Sequence, residues 1–259
     1  MSSVLITGAS RGIGRAIATE FAQRGHRVVA TARDPRTLDD LEVDQRLALD
    51  VTDEASVAAA VEAAGDIDVL ISNAGVIFYA AVEATPPAEF ERLLQHNTIG
   101  ALRVAQAVLP QMRERGHGRL LFMSSIAGRI VLPPGAAYAA TKWALEALVE
   151  ALAIEVSPLG IQAALLEPGA VSSGALDDVL THTLPDDPYA ALLNVGGEGY
   201  LSITPEQVAR EVADAAESST LSLRIPLGEP ARQLLAARRS TRDDVPFQPG
   251  RPQSGDSAA

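Results

Sequence analysis

Cysteine is absent from all 259 residues, which excludes disulfides, thiolate metal sites and a cysteine nucleophile. Histidine is scarce: His26, His96, His117 and His182 have no metal-ligand spacing, and no metal is expected. Positive charge is outweighed, with 21 Lys and Arg against 33 Asp and Glu and a formal net charge of -12. That balance disfavours nucleic acid and anionic membrane as partners and favours solubility. Long apolar runs are also missing. The uncharged stretch from Val69 to Val82 contains Asn73 and Gly75 and falls short of the roughly 20 apolar residues a spanning helix needs. No basic segment precedes the apolar Val4-Leu5-Ile6, so no targeting peptide and a soluble, cytoplasmic protein are expected.

What is present is an alternation. Apolar runs at Val4–Thr7, Arg27–Thr31, Arg46–Leu49, Val69–Ser72, Arg119–Met123, Ile161–Leu166 and Leu221–Ile225 read as strands. Helical patterns lie near 12–24, 54–64, 88–114, 137–157 and 205–217, with Gly25 placed to end the first helix and Asp53 to start the next. Strands of this kind, separated by helices, predict an α/β chain with a parallel sheet buried on both faces. Right-handed crossovers then give a single-domain doubly wound Rossmann fold, seven strands flanked by helices on both sides. The domain is expected over residues 1–245. Its segment 172–204, broken by prolines and Gly196-Gly197, has the length of a functional loop or lid. The tail 246–259, rich in Pro, Gly, Ser and Gln, is expected to be disordered.

The first strand runs into Thr7-Gly8-Ala9-Ser10-Arg11-Gly12-Ile13-Gly14. Glycines here permit a tight turn and close backbone approach to a pyrophosphate, which the next helix meets with its free N–H groups. The same letters spell a rival, the G-x-S-x-G elbow of a hydrolase with Ser10 as nucleophile. That reading is disfavoured, because an elbow on the first strand lacks the preceding sheet that positions it, and His182 has acids near it only in the lid-like stretch. Cofactor choice turns on the end of the second strand, Ala32-Arg33-Asp34. An acid about 20 residues beyond the loop selects NAD, whereas Arg33 with Arg11 suits a 2′-phosphate through charge-assisted bonds. Asp34 could serve the ribose diol of NAD, but Asp34-Pro35 reads as a turn, so NADP (NADPH) is favoured over NAD.

Tyr138 and Lys142 are four apart, on one helical face. Ser125 stands thirteen residues before the tyrosine, a spacing that selects it over Ser124. An ammonium about 4 Å from a phenol at an effective dielectric near 20 contributes up to about 4 kcal/mol, or about 3 pKa units, enough to bring a tyrosine near 7. A dinucleotide cradle beside such a tyrosine implies hydride transfer to or from a carbonyl.

Taken together these residues resemble the short-chain dehydrogenase/reductase family over roughly 3–228. The resemblance implies that Asp50-Val51 meet the adenine and that Ser72-Asn73-Ala74-Gly75 form the family's strand end, with serine for its first asparagine. It makes Asn97, Ser125, Tyr138 and Lys142 the catalytic group, with Asn97 in a water relay and Lys142 on the nicotinamide ribose. It places Pro168-Gly169, Val171 and Ser173 by the nicotinamide, the serine standing where threonine is usual. It implies a homodimer or homotetramer through helices 88–114 and 137–157, where Ala144, Ala147 and Ala151 allow close approach. The substrate would be a small hydrophobic ketone, aldehyde or secondary alcohol, held by Leu176, Val179, Leu180, Leu184, Tyr189, Leu192 and Leu193. A non-catalytic dinucleotide sensor on the same fold is the alternative.

Overall fold

The computed structural model describes residues 1–174, 179–193, 202–242, 244–247 and 249. Leu176 and Gly196-Gly197 lie outside the described residues, as does most of the tail from 246. Strands β1 (Ser3–Ile6), β2 (Arg27–Ala32), β3 (Gln45–Ala48) and β4 (Val69–Ser72) form the first half. A two-residue strand β5 (Phe78–Tyr79) precedes β6 (Gly118–Met123) and β7 (Ile161–Pro168), and β8 (Leu180–Thr181) precedes β9 (Arg224–Leu227). The main sheet has seven strands in the order β3-β2-β1-β4-β6-β7-β9, every pair parallel. This is the doubly wound Rossmann-like arrangement. The order reverses between β1 and β4, where such sheets open a crevice at the strand C-termini.

Alternation along each strand explains the two layers of core. Val4 and Ile6 point to one face with Ile17 and Phe21 of α1 (Gly12–Gln23) and Val208 and Val212 of α6 (Pro205–Glu217). Leu5 points to the other, with Val57 of α2 (Glu54–Ala64), Val104 and Met112 of α4 (Gly100–Arg115), and Leu145 and Val149 of α5 (Ala136–Val156). Capping sets the boundaries. Asp53 accepts from the N–H groups of Ala55 and Ser56 at the head of α2, and Gly25, at φ +80°, turns the chain after α1.

Four elements differ from the sequence expectation. The single helix over 88–114 is two, α3 (Pro87–Leu94) and α4, joined by a π-turn at Gln95–Ile99 that contains Asn97. The last strand lies three residues later than Leu221–Ile225 at its start. An eleven-residue helix α7 (Glu229–Arg239) follows it, and β5 pairs with β8 as a separate two-stranded sheet. Among the described residues no helix is long and apolar enough to cross a membrane.

Candidate active site

The crevice is a cavity of about 1220 Å³ at the C-terminal ends of the strands. Gly8 leaves β1 at φ +70°, and a Cβ there would stand 2.9 Å from Ala74 Cα. Two cross-links fix this turn. The backbone N–H groups of Asn73 and Ala74 both donate to Thr7 Oγ1, at 2.9 and 3.0 Å, and Asn73 Nδ2 donates to the carbonyls of Thr7 and Gly8. Helix α1 begins directly beyond, without a side-chain cap and without an acid in its first turn. Its opening residues Gly12, Ile13 and Gly14 line the cavity with Gly8, Ser10 and Arg11. That is the geometry of an anion cradle: backbone donors and a positive dipole end, with no acid in the first turn of the helix.

Arg33, Asp50 and Val51 line the cavity where β2 and β3 end, and Asn73, Ala74 and Gly75 line it after β4. Asp50 Oδ1 accepts from the backbone N–H and hydroxyl of Thr52 at 2.8 and 2.7 Å, and these bonds hold its carboxyl below the usual range. Asp34 turns away from the cavity: its carboxylate accepts from Arg36 Nε and Nη2 and from the Arg36 N–H, capping a short 3₁₀ turn.

Away from the cradle Ser125, Tyr138, Lys142, Pro168 and Gly169 line the same cavity, and Val171 and Ser173 line it nearer the cradle, where a Cβ on Gly12 would stand 3.4 Å from Ser173 Cβ. Ser125 Oγ accepts from the Ala127 N–H at 3.1 Å, at the head of a 3₁₀ turn. Tyr138 faces the cavity, yet the protein around it raises its phenol well above 10; the neighbouring Ser125 hydroxyl opposes that rise and Tyr79 adds to it. Lys142 is 4% exposed. Its Nζ donates to the Met123 carbonyl at 2.7 Å and lies 5.7 Å from the Tyr138 ring centroid. Burial pushes its ammonium down to about 8, against the charge of Glu146, which raises it. The groups around Tyr138 in the protein alone thus raise its phenol rather than lower it, desolvation outweighing the Ser125 hydroxyl.

Asn97 stands behind the cavity, 1% exposed. Its Oδ1 accepts from the Val76 N–H at 2.8 Å, and its Nδ2 donates to the Val76 carbonyl at 2.9 Å and to Thr141 Oγ1 at 3.1 Å. The amide is thus committed to protein groups, and it ties the π-turn to the chain after β4 and to α5.

Residues 2–183 match the family model described as short chain dehydrogenase. The chain belongs to that family. The short-chain dehydrogenases it resembles include an uncharacterized oxidoreductase of Bacillus subtilis (strain 168), YusZ, 33% identical over 90% of this chain and 91% of the relative. Human 17-beta-hydroxysteroid dehydrogenase type 1 is 39% identical over 68% of this chain and 59% of that protein. A solved short-chain dehydrogenase of Streptomyces avermitilis superposes with a TM-score of 0.82 at 34% identity, covering 91% of this chain and 90% of the other. As a member of that family, the protein is an NAD(P)-dependent oxidoreductase.

The short-chain dehydrogenase cavity has walls that the sequence did not signal. Tyr79, Ile130, Leu132 and Pro133 form an apolar side next to Tyr138, and Pro230, Gln233, Leu234 and Ala237 of α7 form another. His96, one residue before Asn97, also lines it, and its charge when protonated helps hold Asp50 ionised. By contrast, Val179, Leu180, Leu184, Tyr189 and Leu192 do not line it. Leu184 and Tyr189 pack on a satellite core around Phe78 and Leu93, while Leu180 and Leu192 are exposed. No histidine hydrogen-bonds Ser10 among the described residues, so the hydrolase constellation is not assembled.

Glu167, just before Pro168, is 1% exposed, and burial together with the charge of Glu146 pushes its carboxyl up to about 7, against Arg129 and Arg224. A carboxyl whose folded pKa exceeds its unfolded value near 4.5 costs nothing below pH 4.5. Its penalty grows as the pH rises through that window and is complete above about 7. Glu167→Gln is accordingly expected to match the starting protein in urea denaturation at pH 4.5 and to exceed its stability by up to about 3 kcal/mol at pH 8.

Proposed function

We propose that this short-chain dehydrogenase is an NADP-dependent carbonyl reductase or alcohol dehydrogenase. It would move a hydride between the nicotinamide and a hydrophobic ketone, aldehyde or secondary alcohol, with Tyr138 as the proton carrier. The carrying observation is one cavity with a glycine-rich anion cradle at one end and Ser125, Tyr138 and Lys142 at the other. Bound NADPH supplies the hydride. The phenol of Tyr138, protonated at neutral pH as phenols ordinarily are, donates to the alkoxide oxygen that develops as the carbonyl is reduced. Ser125 donates a hydrogen bond to the same oxygen and orients it. Lys142 holds the nicotinamide ribose and, as an ammonium, eases the loss of the phenol proton. Asn97 positions the turn through its amide bonds to Val76 and Thr141, and a water relay from Lys142 would run through its remaining acceptors.

Several features support NADP over NAD. Asp34, the acid nearest the diol position, is occupied by Arg36, whereas Arg33 lines the cavity and Arg11 borders the cradle. A charge-assisted bond to a 2′-phosphate contributes about 1.5–3 kcal/mol. Arg33→Ala is thus expected to weaken NADPH about 10- to 100-fold in a binding titration and leave NADH nearly unchanged; tighter NADH than NADPH binding by the starting protein would reverse the assignment.

The apolar wall of Tyr79, Ile130, Leu132 and Leu234 suits an alicyclic or long aliphatic carbonyl, in keeping with the steroid named for the human relative. Residues 1–245 act as one domain, and the 172–204 segment meets the cavity at Ser173. Ile99, Trp143, Leu148 and Ile154 expose apolar surface on and beside α4 and α5, which supports a homodimer or homotetramer through those helices. The absence of cysteine and the acidic balance suit the cytoplasm. The direct experiment is NADPH consumption with a panel of hydrophobic ketones and aldehydes. If NADPH binds but none of them oxidises it, the protein is instead a dinucleotide sensor.

A further inference from the structure

Tyr138, Lys142, Glu146 and Glu150 recur every four residues along α5, so they form one column on one helical face. The first two line the cavity. Glu146 does not, and it is 4% exposed. A buried carboxylate is costly unless paired and hydrogen-bonded. Both oxygens of Glu146 are engaged: Oε1 accepts from Ser124 Oγ at 2.5 Å, and Oε2 from Arg224 Nε at 2.8 Å. Arg224 reaches on to Glu150 at 2.5 Å. A Cβ on Gly128 would lie 2.8 Å from Glu146 Cγ and 2.9 Å from Ser124 Oγ, so the loop after Ser125 seals this bond from water.

Ser124 follows Met123, whose carbonyl accepts the Lys142 ammonium. Glu146 is therefore fastened beside the peptide that fixes Lys142 and one helical turn from it. Lys142 is also the only lysine in the chain; the other 20 cationic side chains are arginines. The one ammonium stands where a titratable point charge is required, and arginine would not titrate there.

We propose that Glu146 is an electrostatic positioning residue of this oxidoreductase, whose buried carboxylate keeps Lys142 an ammonium beside Tyr138. This rests on the reading of Lys142 as the working cation. The groups that set the balance come from five elements. Tyr138 and Glu150 lie on α5 itself, and Arg224 comes from β9. Glu167, from β7, has an oxygen 3.9 Å from Arg224 Nε and 3.4 Å from Nη1 of Arg129, which follows the Ser125 turn. The Met123 carbonyl comes from β6. Glu146 is the anion whose field on Lys142 opposes the burial, and Arg224 is its counterweight.

A lone lysine makes the test direct. With [13C]lysine the folded, cofactor-free protein gives one ε-carbon resonance, and its shift against pH reports Lys142. Glu146→Gln removes the anion and is expected to lower the midpoint by about one pH unit, the low end of the effect of a neighbouring opposite charge. Arg224→Gln removes the counterweight and is expected to raise it. Glu150→Gln, which loses the same surface ion pair, leaves it near the starting value. An unmoved or raised midpoint in Glu146→Gln overturns the proposal. If that variant does not fold, Arg224→Gln decides, and an unmoved or lowered midpoint overturns it. Lys142→Met is assayed for turnover beside these. Turnover surviving that change refutes the role of Lys142 in catalysis; turnover lost, with an unmoved midpoint in Glu146→Gln, refutes only the role of Glu146.

Discussion

Tyr138→Phe lowers turnover about 10²- to 10⁴-fold, the usual worth of a positioned general acid, while NADPH binds as before. The reasoning is spatial. The substitution removes one oxygen from a ring that lines the carbonyl end of the cavity and touches nothing in the glycine cradle at the other end. The ring keeps its packing, and Ser125 keeps its bond to the Ala127 N–H. What disappears is the phenol proton, which an ordinary tyrosine carries at neutral pH. Without it the developing alkoxide must take a proton from water, in a pocket walled by Ile130, Leu132 and Leu234. Single-turnover oxidation of NADPH with an active ketone separates this chemical step from release, and a fluorescence titration reads binding. Turnover within about threefold of the starting enzyme would remove Tyr138 from the mechanism.

Gly14→Ala is expected to weaken NADPH at least about tenfold and to lower the melting temperature. Gly14 lies within α1, where alanine is intrinsically the better helix former by about 1 kcal/mol. The surroundings reverse that preference. The added methyl would stand well inside contact distance of the Gly8 carbonyl oxygen, 2.9 Å from the Gly8 carbonyl carbon and 2.5 Å from Asn73 Nδ2. Two of these atoms are backbone, and the third is tied down by its bonds to the carbonyls of Thr7 and Gly8. Relief requires α1 to back away from β1, which opens the cradle. Overpacking of this kind costs about 1–3 kcal/mol, or about 2–4 °C per kcal/mol in a domain of this size. Calorimetry with and without NADPH reads both effects. An alanine variant that binds NADPH as tightly as the parent would mean that the phosphates do not rest on this turn.

What sequence could reveal follows from the range of the interactions. Strands buried on both faces spell themselves as unbroken apolar runs, and Leu5, Leu70 and Leu120 are all fully buried. The cradle and the Tyr138–Lys142 pair are local patterns, fixed by a turn and by the helical repeat. The π-turn at Gln95–Ile99 was hidden because one extra residue in a turn leaves the apolar periodicity on both sides intact. The last strand was misplaced because its most useful residue is not apolar. Arg224 opens β9 to meet Glu146 and Glu150, and Pro226 is tolerated because β9 is the sheet edge. Helix α7 was missed because its sequence is polar and arginine-rich; what places it is the contact of Ala231 with Gly169, 62 positions earlier. The leucines of 172–204 read as a substrate wall, yet packing against Phe78 and Leu93 claims Leu184 and Tyr189. Composition along a loop shows that apolar surface must be covered without showing by what.

The solitary Lys142 has one more effect, away from the reaction. Its amine is enclosed and hydrogen-bonded, and every other side-chain cation is a guanidinium. The folded exterior therefore presents no ε-amine to acylating reagents, glycating sugars or isopeptide-forming ligases. Such chemistry reaches this side chain only through the cavity that it lines, so protection of the lysine from acylation would report occupancy of that cavity.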